Sequence, residues 1–168
     1  YIEGRPPRAP GDLIWAAHRS VRLDYFRAIG IRLLRGRSFV PLDAQARVAV
    51  INEAMARSYW PEEDSIGKRF KIGASSKEWI SVVGVVGNVR HFGLDAEPAP
   101  EMYFLESMSR MTLVVRSVMN PTRLVASVRD AIRSVDRNQP ISDVRTMQSI
   151  ISESVAPRRL TATLTALF

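Results

Sequence analysis

The chain has 168 residues, enough for one domain or for two closely joined subdomains. Hydrophobic residues make up 46% of it, which excludes a wholly disordered segment, and the absence of cysteine excludes disulfide frameworks and thiolate metal sites. The net charge of +7 is compatible with a nucleic-acid partner, an anionic membrane surface or a solvated basic protein. Because the basic residues are scattered along the chain, we favour solvated faces.

The first quarter of the chain predicts a strand, a short helix and a loop. The apolar run within residues 13–21 is typical of a strand. Asp24 is a candidate N-cap for a helix over residues 25–29, and Gly30 is placed to end that helix. Residues 38–46 lack a regular pattern and predict a loop.

The middle of the chain contains the strongest strand signals. Residues 48–51 form a short apolar run typical of a buried strand, and Asn52 follows as the N-cap of a helix that Pro61 ends. Residues 68–72 alternate polar and apolar side chains, which predicts a half-buried strand. The β-branched stretch over residues 79–89 is the clearest strand of all.

The last third of the chain changes from a period of two to a helical period. Residues 102–105 and 111–117 predict strands. Asn120 and Pro121 then open a helix with an apolar stripe. The stripe consists of Leu124, Val125, Val128, Ala131, Ile132 and Val135.

Beyond this helix, residues 141–145 predict a strand and residues 147–155 a further helix, with another helix beginning after Pro157. The order of elements predicts an α+β fold, with a β-α-β unit over residues 111–145 and a strand-rich lobe over about residues 38–106.

Two glycines in the clearest strand raise the question of a nucleotide site. A dinucleotide-binding loop needs a third glycine and a helix directly after the loop, and a phosphate-binding P-loop needs its lysine followed by serine or threonine. Here Gly84 and Gly87 are followed by further strand residues, and no P-loop occurs. We therefore interpret both glycines as bulges or close backbone contacts.

The titratable residues do not assemble a reaction centre. His18 and His91 are far apart, and zinc usually requires four ligands. Acidic groups at residues 62–64 and 95–101 flank turns, where carboxylates are usually solvated. No serine occupies a nucleophile elbow. The sequence nominates no catalytic, cofactor-binding or metal-binding residue.

Several sequence blocks occur in a characteristic order. They are residues 24–39 (DYFRAIGIRLLRGRSF), residues 48–70 with VAVINE, YWP and SIGKRF, residues 82–90 (VVGVVGNVR), and the tail with DVRTM at 143–147 and APRR at 156–159. Together they resemble the MacB-like periplasmic domain of MacB/FtsX-type ABC-transporter permeases, in the branch of large bacterial permeases.

The chain departs from that family pattern at three places. Arg22-Leu23 stands where Ser-Pro is common, Arg32 where proline is usual and Asn88 where aspartate is usual. These differences change turn chemistry and surface charge, and the family pattern implies no catalytic role at any of them.

The resemblance implies an extracytoplasmic domain on the periplasmic side of the cell inner membrane. It implies a porter-like βαβ subdomain built from residues 1–37 and 111–157, with an incomplete N-terminal part, and a strand-rich, sabre-like subdomain over residues 38–110. Residues 158–168 would then begin a truncated transmembrane helix. Both ends of the sequence lead us to expect a piece of a longer polypeptide. Residues 2–5 (IEGR) also match a protease-site linker, although their continuation into Pro6-Pro7 favours a native loop.

The function that the resemblance implies is transport and not catalysis. The domain would transmit ATP-driven motion, contact substrate or a partner during export, or do both. A separate cytoplasmic ABC ATPase would hydrolyse ATP and act through the transmembrane helices of the full protein. The cell membrane and a second permease copy are further expected partners, with no nucleic acid and no cofactor.

Two other functions remain open from the residues themselves. The charge of +7 would suit a basic nucleic-acid-binding module, whose affinity would fall steeply with salt. The acidic group with Asp95, Glu97 and Glu101 would suit a hydrolase, since paired carboxylates perform glycoside hydrolysis.

Overall fold

Two compact units divide the chain, Tyr1–Val114 and Val115–Phe168. The structure is a computed structural model that describes residues 1–6, 15–73, 75–90, 96–106 and 111–153. The helices and strands are β1 (Ala17–Val21), α1 (Tyr25–Ile29), β2 (Leu33–Gly36), β3 (Val48–Asn52), α2 (Glu53–Tyr59), β4 (Arg69–Phe70), β5 (Ile80–Val86), β6 (Glu101–Leu105) and α3 (Val125–Val135). Single 3₁₀ turns lie at Pro41–Gln45 and Pro121–Leu124, and residues 147–153 are helical.

The described residues of the first unit form a mixed six-stranded sheet. Its order is β1-β6-β3-β5-β2, and β4 pairs with β5 on the same side as β2. Two pairs are parallel, β1 with β6 and β3 with β5, and the other pairs are antiparallel. This mixture of a sheet with short helices confirms the predicted α+β class.

A bulge in β5 decides which of its side chains meet which core. Ala49 is opposite Val82, but the next residue, Val50, is opposite Gly84, so Val83 is skipped in the ladder. Side chains alternate between the two faces of a strand, and one extra residue reverses the alternation. As a result Val82 and Val85, three positions apart, both pack into the same core.

Each face of the sheet carries its own apolar core. On one face, α2 and the residue after it supply the cover, with Met55, Tyr59 and Trp60 packed on β3 and β5. On the other face, Phe26 of α1 and Phe39 cover the side chains of Val21, Val50, Val86 and Tyr103. The central strand β3 contributes buried side chains to both cores. Because apolar burial is the main stabilising term in folding, β3 joins the two cores into one unit.

The two short helices follow the local predictions. In α1, Gly30 ends the helix in the left-handed conformation with φ of 88°. Asp24 occupies the N-cap position without a side-chain capping bond, and instead its carboxylate pairs with Arg27. In α2, Asn52 caps the helix by accepting a hydrogen bond from the Met55 amide at 2.8 Å.

The first five residues, which we call the N-terminal arm (Tyr1–Arg5), belong to the fold of the first unit. Ile2 forms an antiparallel bridge with Phe70, and the Glu3 amide donates to the Arg69 carbonyl at 3.0 Å. The side chain of Ile2 packs against the core on the α2 side. The segment that also matches a linker motif thus extends the sheet edge beside β4.

In the second unit, helices form as predicted but the predicted strands do not. Asn120 caps the 3₁₀ turn that leads into α3, by accepting a hydrogen bond from the Thr122 amide. Residues 111–117 and 141–145 are described without strand structure. Among the described residues of this unit, none is fully buried.

The subdomain division drawn from the sequence, residues 1–37 with 111–157 and residues 38–110, stays a prediction. In the structure, strands β1 and β2 share one sheet with β3, β5 and β6. The predicted change near residue 110 lies close to the division after Val114. The third helix and the membrane segment predicted after Pro157 lie outside the described residues.

Candidate functional site

Glu101, at the start of β6, carries a buried carboxylate whose side chain is only 3% exposed. Arg19 of the neighbouring strand β1 donates from Nη2 to Oε1 at 3.1 Å, and the Tyr103 hydroxyl donates to Oε2 at 2.7 Å. The parallel register brings these groups together, since Arg19 lies opposite Tyr103, and Glu101 and Tyr103 share one face of β6. The carboxylate is therefore compensated by one cation and one neutral donor.

This arrangement favours a structural role for both tyrosines near it. Burial raises the pKa of Tyr103, and the hydrogen bond to Glu101 raises it further. Burial also raises the pKa of Tyr25, with a contribution from the charge of Glu101. The rings pack edge to face with Phe26, 5.1 Å from Tyr103 and 5.5 Å from Tyr25 between centroids. The phenols thus remain protonated and fix one aromatic core.

Asn52 connects three segments at the end of β3. Its Oδ1 accepts hydrogen bonds from the amides of Met55 and Glu101, at 2.8 and 2.9 Å, and its Nδ2 donates to the Ala99 carbonyl at 2.8 Å. The sequence predicted the cap of α2 but not the two bonds to the start of β6, because those depend on the pairing of β3 with β6. The side chain is fully buried and its amide is satisfied by backbone groups.

The acidic groups considered from the sequence separate in the structure. Glu101 is held by Arg19 and Tyr103, and Glu97 is exposed in the preceding segment. Asp95 lies outside the described residues. In the other acidic turn, Glu63 pairs with both Arg5 and Lys68, which lowers its pKa through their hydrogen bonds. In these two groups, Glu63, Asp64 and Glu101 each form an ion pair.

The two densest local groups of basic residues are also engaged within the fold. They are Arg32, Arg35 and Arg37, and Lys68, Arg69 and Lys71. Four of these six form ion pairs, which are Arg35 with Asp64, Arg37 with Asp43, Lys68 with Glu63 and Arg69 with Glu3. Lys71 lies between two rings, 5.6 Å from the centroid of Tyr1 and 5.5 Å from that of Trp79. These contacts favour the solvated-face interpretation over a phosphate-binding surface, which requires cations available to phosphates.

Arg37 and Asp43 form the best-defined of these pairs. Arg37 binds both carboxylate oxygens, at 2.6 and 2.9 Å, and the Val40 amide donates to the same carboxylate at 2.8 Å. The hydrogen bond from Arg37 holds the pKa of Asp43 below its ordinary value of 3.8. This contact fixes the turn that carries Phe39 into its core.

We expect the stability of the first unit to depend on Asp43 at low pH. Because the pKa of Asp43 is lower in the folded state, its carboxylate stabilises the fold fully above the pKa of the unfolded state. This stabilisation is lost as the pH falls through the pKa of the folded state. Asp43→Asn should lower the free energy of unfolding by about 1–2 kcal/mol at pH 7 and weaken the loss of stability below about pH 4. Urea unfolding of the unmodified protein and of Asp43→Asn, at pH 7 and below about pH 4, measures both effects.

The matched control is Asp24→Asn, whose carboxylate meets Arg27 in solvent. That variant should change the free energy of unfolding by less than about 0.5 kcal/mol. Equal losses in the two variants would contradict a special role for Asp43.

The remaining candidates have structural partners or lie outside the described residues. His18 contacts Glu106 at 3.3 Å and packs on the ring of Phe104, while His91 lies outside the described residues. Gly84 faces the backbone of Arg37, and the Gly87 amide donates to the Arg32 carbonyl. Within the described parts of the chain, no three His, Asp or Glu side chains converge to hold a metal ion.

A family model described as the MacB-like periplasmic core domain matches residues 11–135. The chain belongs to this family. The match covers β1 to α3, and it includes both the Arg19–Glu101 pair and the Asn52 junction. The chain is thus the periplasmic domain of a MacB-like ABC transporter permease, as the sequence blocks led us to expect.

Three solved structures are similar to this MacB-like domain, and the first of them supports its fold. The periplasmic region of MacB from Actinobacillus actinomycetemcomitans matches with a TM-score of 0.50 and 20% identity, over 68% of this chain and 54% of that one. A domain of a putative permease from Porphyromonas gingivalis matches with a TM-score of 0.45 and 17% identity, over 79% and 70%. The extracellular domain of the noncanonic ABC-type transporter YknZ from Gram-positive bacteria matches with a TM-score of 0.40 and 21% identity, over 52% and 42%.

The chain spans about half of the MacB region, since it covers 54% of that structure. None of the curated proteins matches the sequence. Within the described residues, no helix has both the length and the apolar character needed to cross a membrane.

Proposed function

We propose that this MacB-like domain works outside the cytoplasmic membrane as a mechanical part of an export permease. In this role it moves with the transmembrane helices of the full protein and contacts the exported substrate or a partner protein. ATP is hydrolysed by a separate cytoplasmic ABC ATPase, and the movement reaches the domain through the membrane. The inner membrane and a second permease copy are the other proposed partners.

The family match over residues 11–135 is the observation that carries this proposal. The described polar contacts agree with it, because Glu63, Asp64 and Glu101 among the candidate acids form ion pairs that hold strands and turns together. A carboxylate that acts as a general acid or base must lie within reach of a substrate proton. Glu101, the buried acid, has its oxygens directed to Arg19 and Tyr103 instead.

The division of the chain into two compact units supports the proposed mechanical role. The first unit has a sheet with a close-packed apolar core on each face. This packing suits it to move as a rigid body. We further propose that the second unit belongs to the porter-like part, as the family resemblance implies.

The proposal is tested by following the distance of each unit from the membrane. The chain contains no cysteine, so single cysteines at the exposed positions Lys77 and Asn138 provide specific labelling sites in the first and second units. In a permease whose other cysteines are removed, energy transfer from each label to acceptor lipids is measured without nucleotide and in the ATP-bound state. We expect the transfer efficiency to differ between the two states for at least one label.

The control is a permease whose ATPase binds ATP but does not hydrolyse it. In this variant the transfer efficiency should stay at the value of the ATP-bound state. Equal transfer efficiency for both labels in all nucleotide states would overturn the mechanical role. Loss of export on trapping the labelled domain with a cross-link, with recovery on reduction, would support it.

A further inference from the structure

The N-terminal arm is attached to the first unit at two separate places. Along β4, the amide of Lys71 donates to the Tyr1 carbonyl at 2.8 Å and the Glu3 amide donates to the Arg69 carbonyl at 3.0 Å. The carboxylate of Glu3 also forms an ion pair with the Arg69 guanidinium. These contacts pair the arm with β4 through an isolated antiparallel bridge at Ile2 and Phe70.

The second attachment is made by Arg5 at the end of α2. Its Nη1 donates to the carbonyl of Tyr59, the last residue of that helix, at 2.5 Å, and its Nη2 contacts Glu63 at 2.8 Å. The C-terminal end of a helix has unpaired carbonyls and a partial negative charge, which a guanidinium complements. Gly4, with φ of 74°, provides the turn between the two attachments.

The arm differs from the sheet in the kind of contact that holds it. Ile2 supplies a half-buried apolar contact, whereas the ion pairs of Glu3 and Arg5 are 33–47% exposed. The central strand β3 contains Val50 and Ile51, which are fully buried. Exposed ion pairs stabilise weakly and are screened by salt, whereas apolar burial is not. Local opening of the arm therefore requires much less free energy than opening of the sheet.

We propose that the N-terminal arm is a releasable latch that opens while the six-stranded sheet remains intact. Arg5 is its principal polar fastening to α2, because its guanidinium bonds both the Tyr59 carbonyl and Glu63. Release uncovers the backbone of β4 and the last turn of α2 at the same time. In the export domain, a role that rests on the proposed function, the arm would yield to tension before the strands do.

Amide hydrogen exchange of the whole chain, followed by NMR, tests the latch. At about 50 mM NaCl, the amides of Glu3 and Lys71 should exchange much faster than that of Ile51. Raising the salt to about 500 mM should accelerate them by about 2- to 5-fold and leave Ile51 unchanged. Arg5→Ala should accelerate the same two amides by about 3- to 10-fold at low salt.

The matched control is Arg57→Ala, which removes an exposed ion pair with Glu53 within α2 and should leave the arm amides unchanged. If Glu3 and Lys71 exchange as slowly as Ile51, the arm opens only with the sheet and the latch is excluded. If Arg5→Ala accelerates Ile51 equally, Arg5 supports the whole unit and not the arm. Neither result depends on export, so this test and the energy-transfer test fail separately.

Discussion

Gly84→Ala is expected to lower the free energy of unfolding by at least about 3 kcal/mol, or to prevent folding of the first unit. A Cβ atom at this position would lie 2.2 Å from the carbonyl oxygen of Arg37. Both groups belong to the backbone, so no side chain rotation relieves the contact. The partner across the ladder, Gly36, is equally confined, because its own Cβ would lie 2.3 Å from the Val83 carbonyl oxygen. The measurement is urea unfolding followed by circular dichroism.

Gly87→Ala provides the matched control three residues further along the chain. Its Cβ would meet the Arg32 carbonyl oxygen at 3.8 Å, an ordinary contact distance. We expect a change of less than about 1 kcal/mol. If the two variants were equally stable, the close approach of β2 to β5 would not be a constraint on this fold.

Asn52→Ala is expected to lower the free energy of unfolding by about 3–5 kcal/mol. The change removes three hydrogen bonds and leaves two amides and one carbonyl without this partner, in a place where the side chain is fully buried. Buried backbone groups that lose their partners cost free energy in addition to the lost bonds. Thermal and urea unfolding of the variant measure the loss.

Asn88→Ala separates this effect from simple helix capping. Asn88 is exposed and accepts a hydrogen bond from the Ala54 amide at 2.9 Å, so it caps the same helix from another segment. Loss of an exposed cap should cost about 0.5–1 kcal/mol. Equal losses for the two asparagines would show that the junction with β6 contributes nothing beyond the cap of α2.

The sequence predicted the elements whose causes are local. Gly30 ends α1 because the left-handed conformation suits glycine, and Asn52 caps α2 because its side chain reaches an amide three residues on. The apolar runs of β3 and β5 likewise identify buried strands from the local sequence alone. The interpretation of Gly84 as a close backbone contact is confirmed by its distance to Arg37.

The features that the sequence could not predict depend on which strands become neighbours. The contact of Arg19 with Glu101 exists because β1 lies parallel to β6, and nothing near either residue indicates that register. The segments 111–117 and 141–145 have the side-chain pattern of strands, yet they are not strands in the structure because pattern alone supplies no hydrogen-bonded partner. The family resemblance, by contrast, needed only ordered blocks of sequence.

The parallel pairing of β1 with β6 also governs how this domain reaches its native state. Ala17 lies opposite Glu101, so β1 pairs with a strand that is 84 positions away along the polypeptide. Closing so large a loop costs conformational entropy before the contacts between the two strands can form. A high contact order of this kind slows folding to about milliseconds or seconds. During synthesis, β1 therefore remains without its neighbour until most of the unit has left the ribosome.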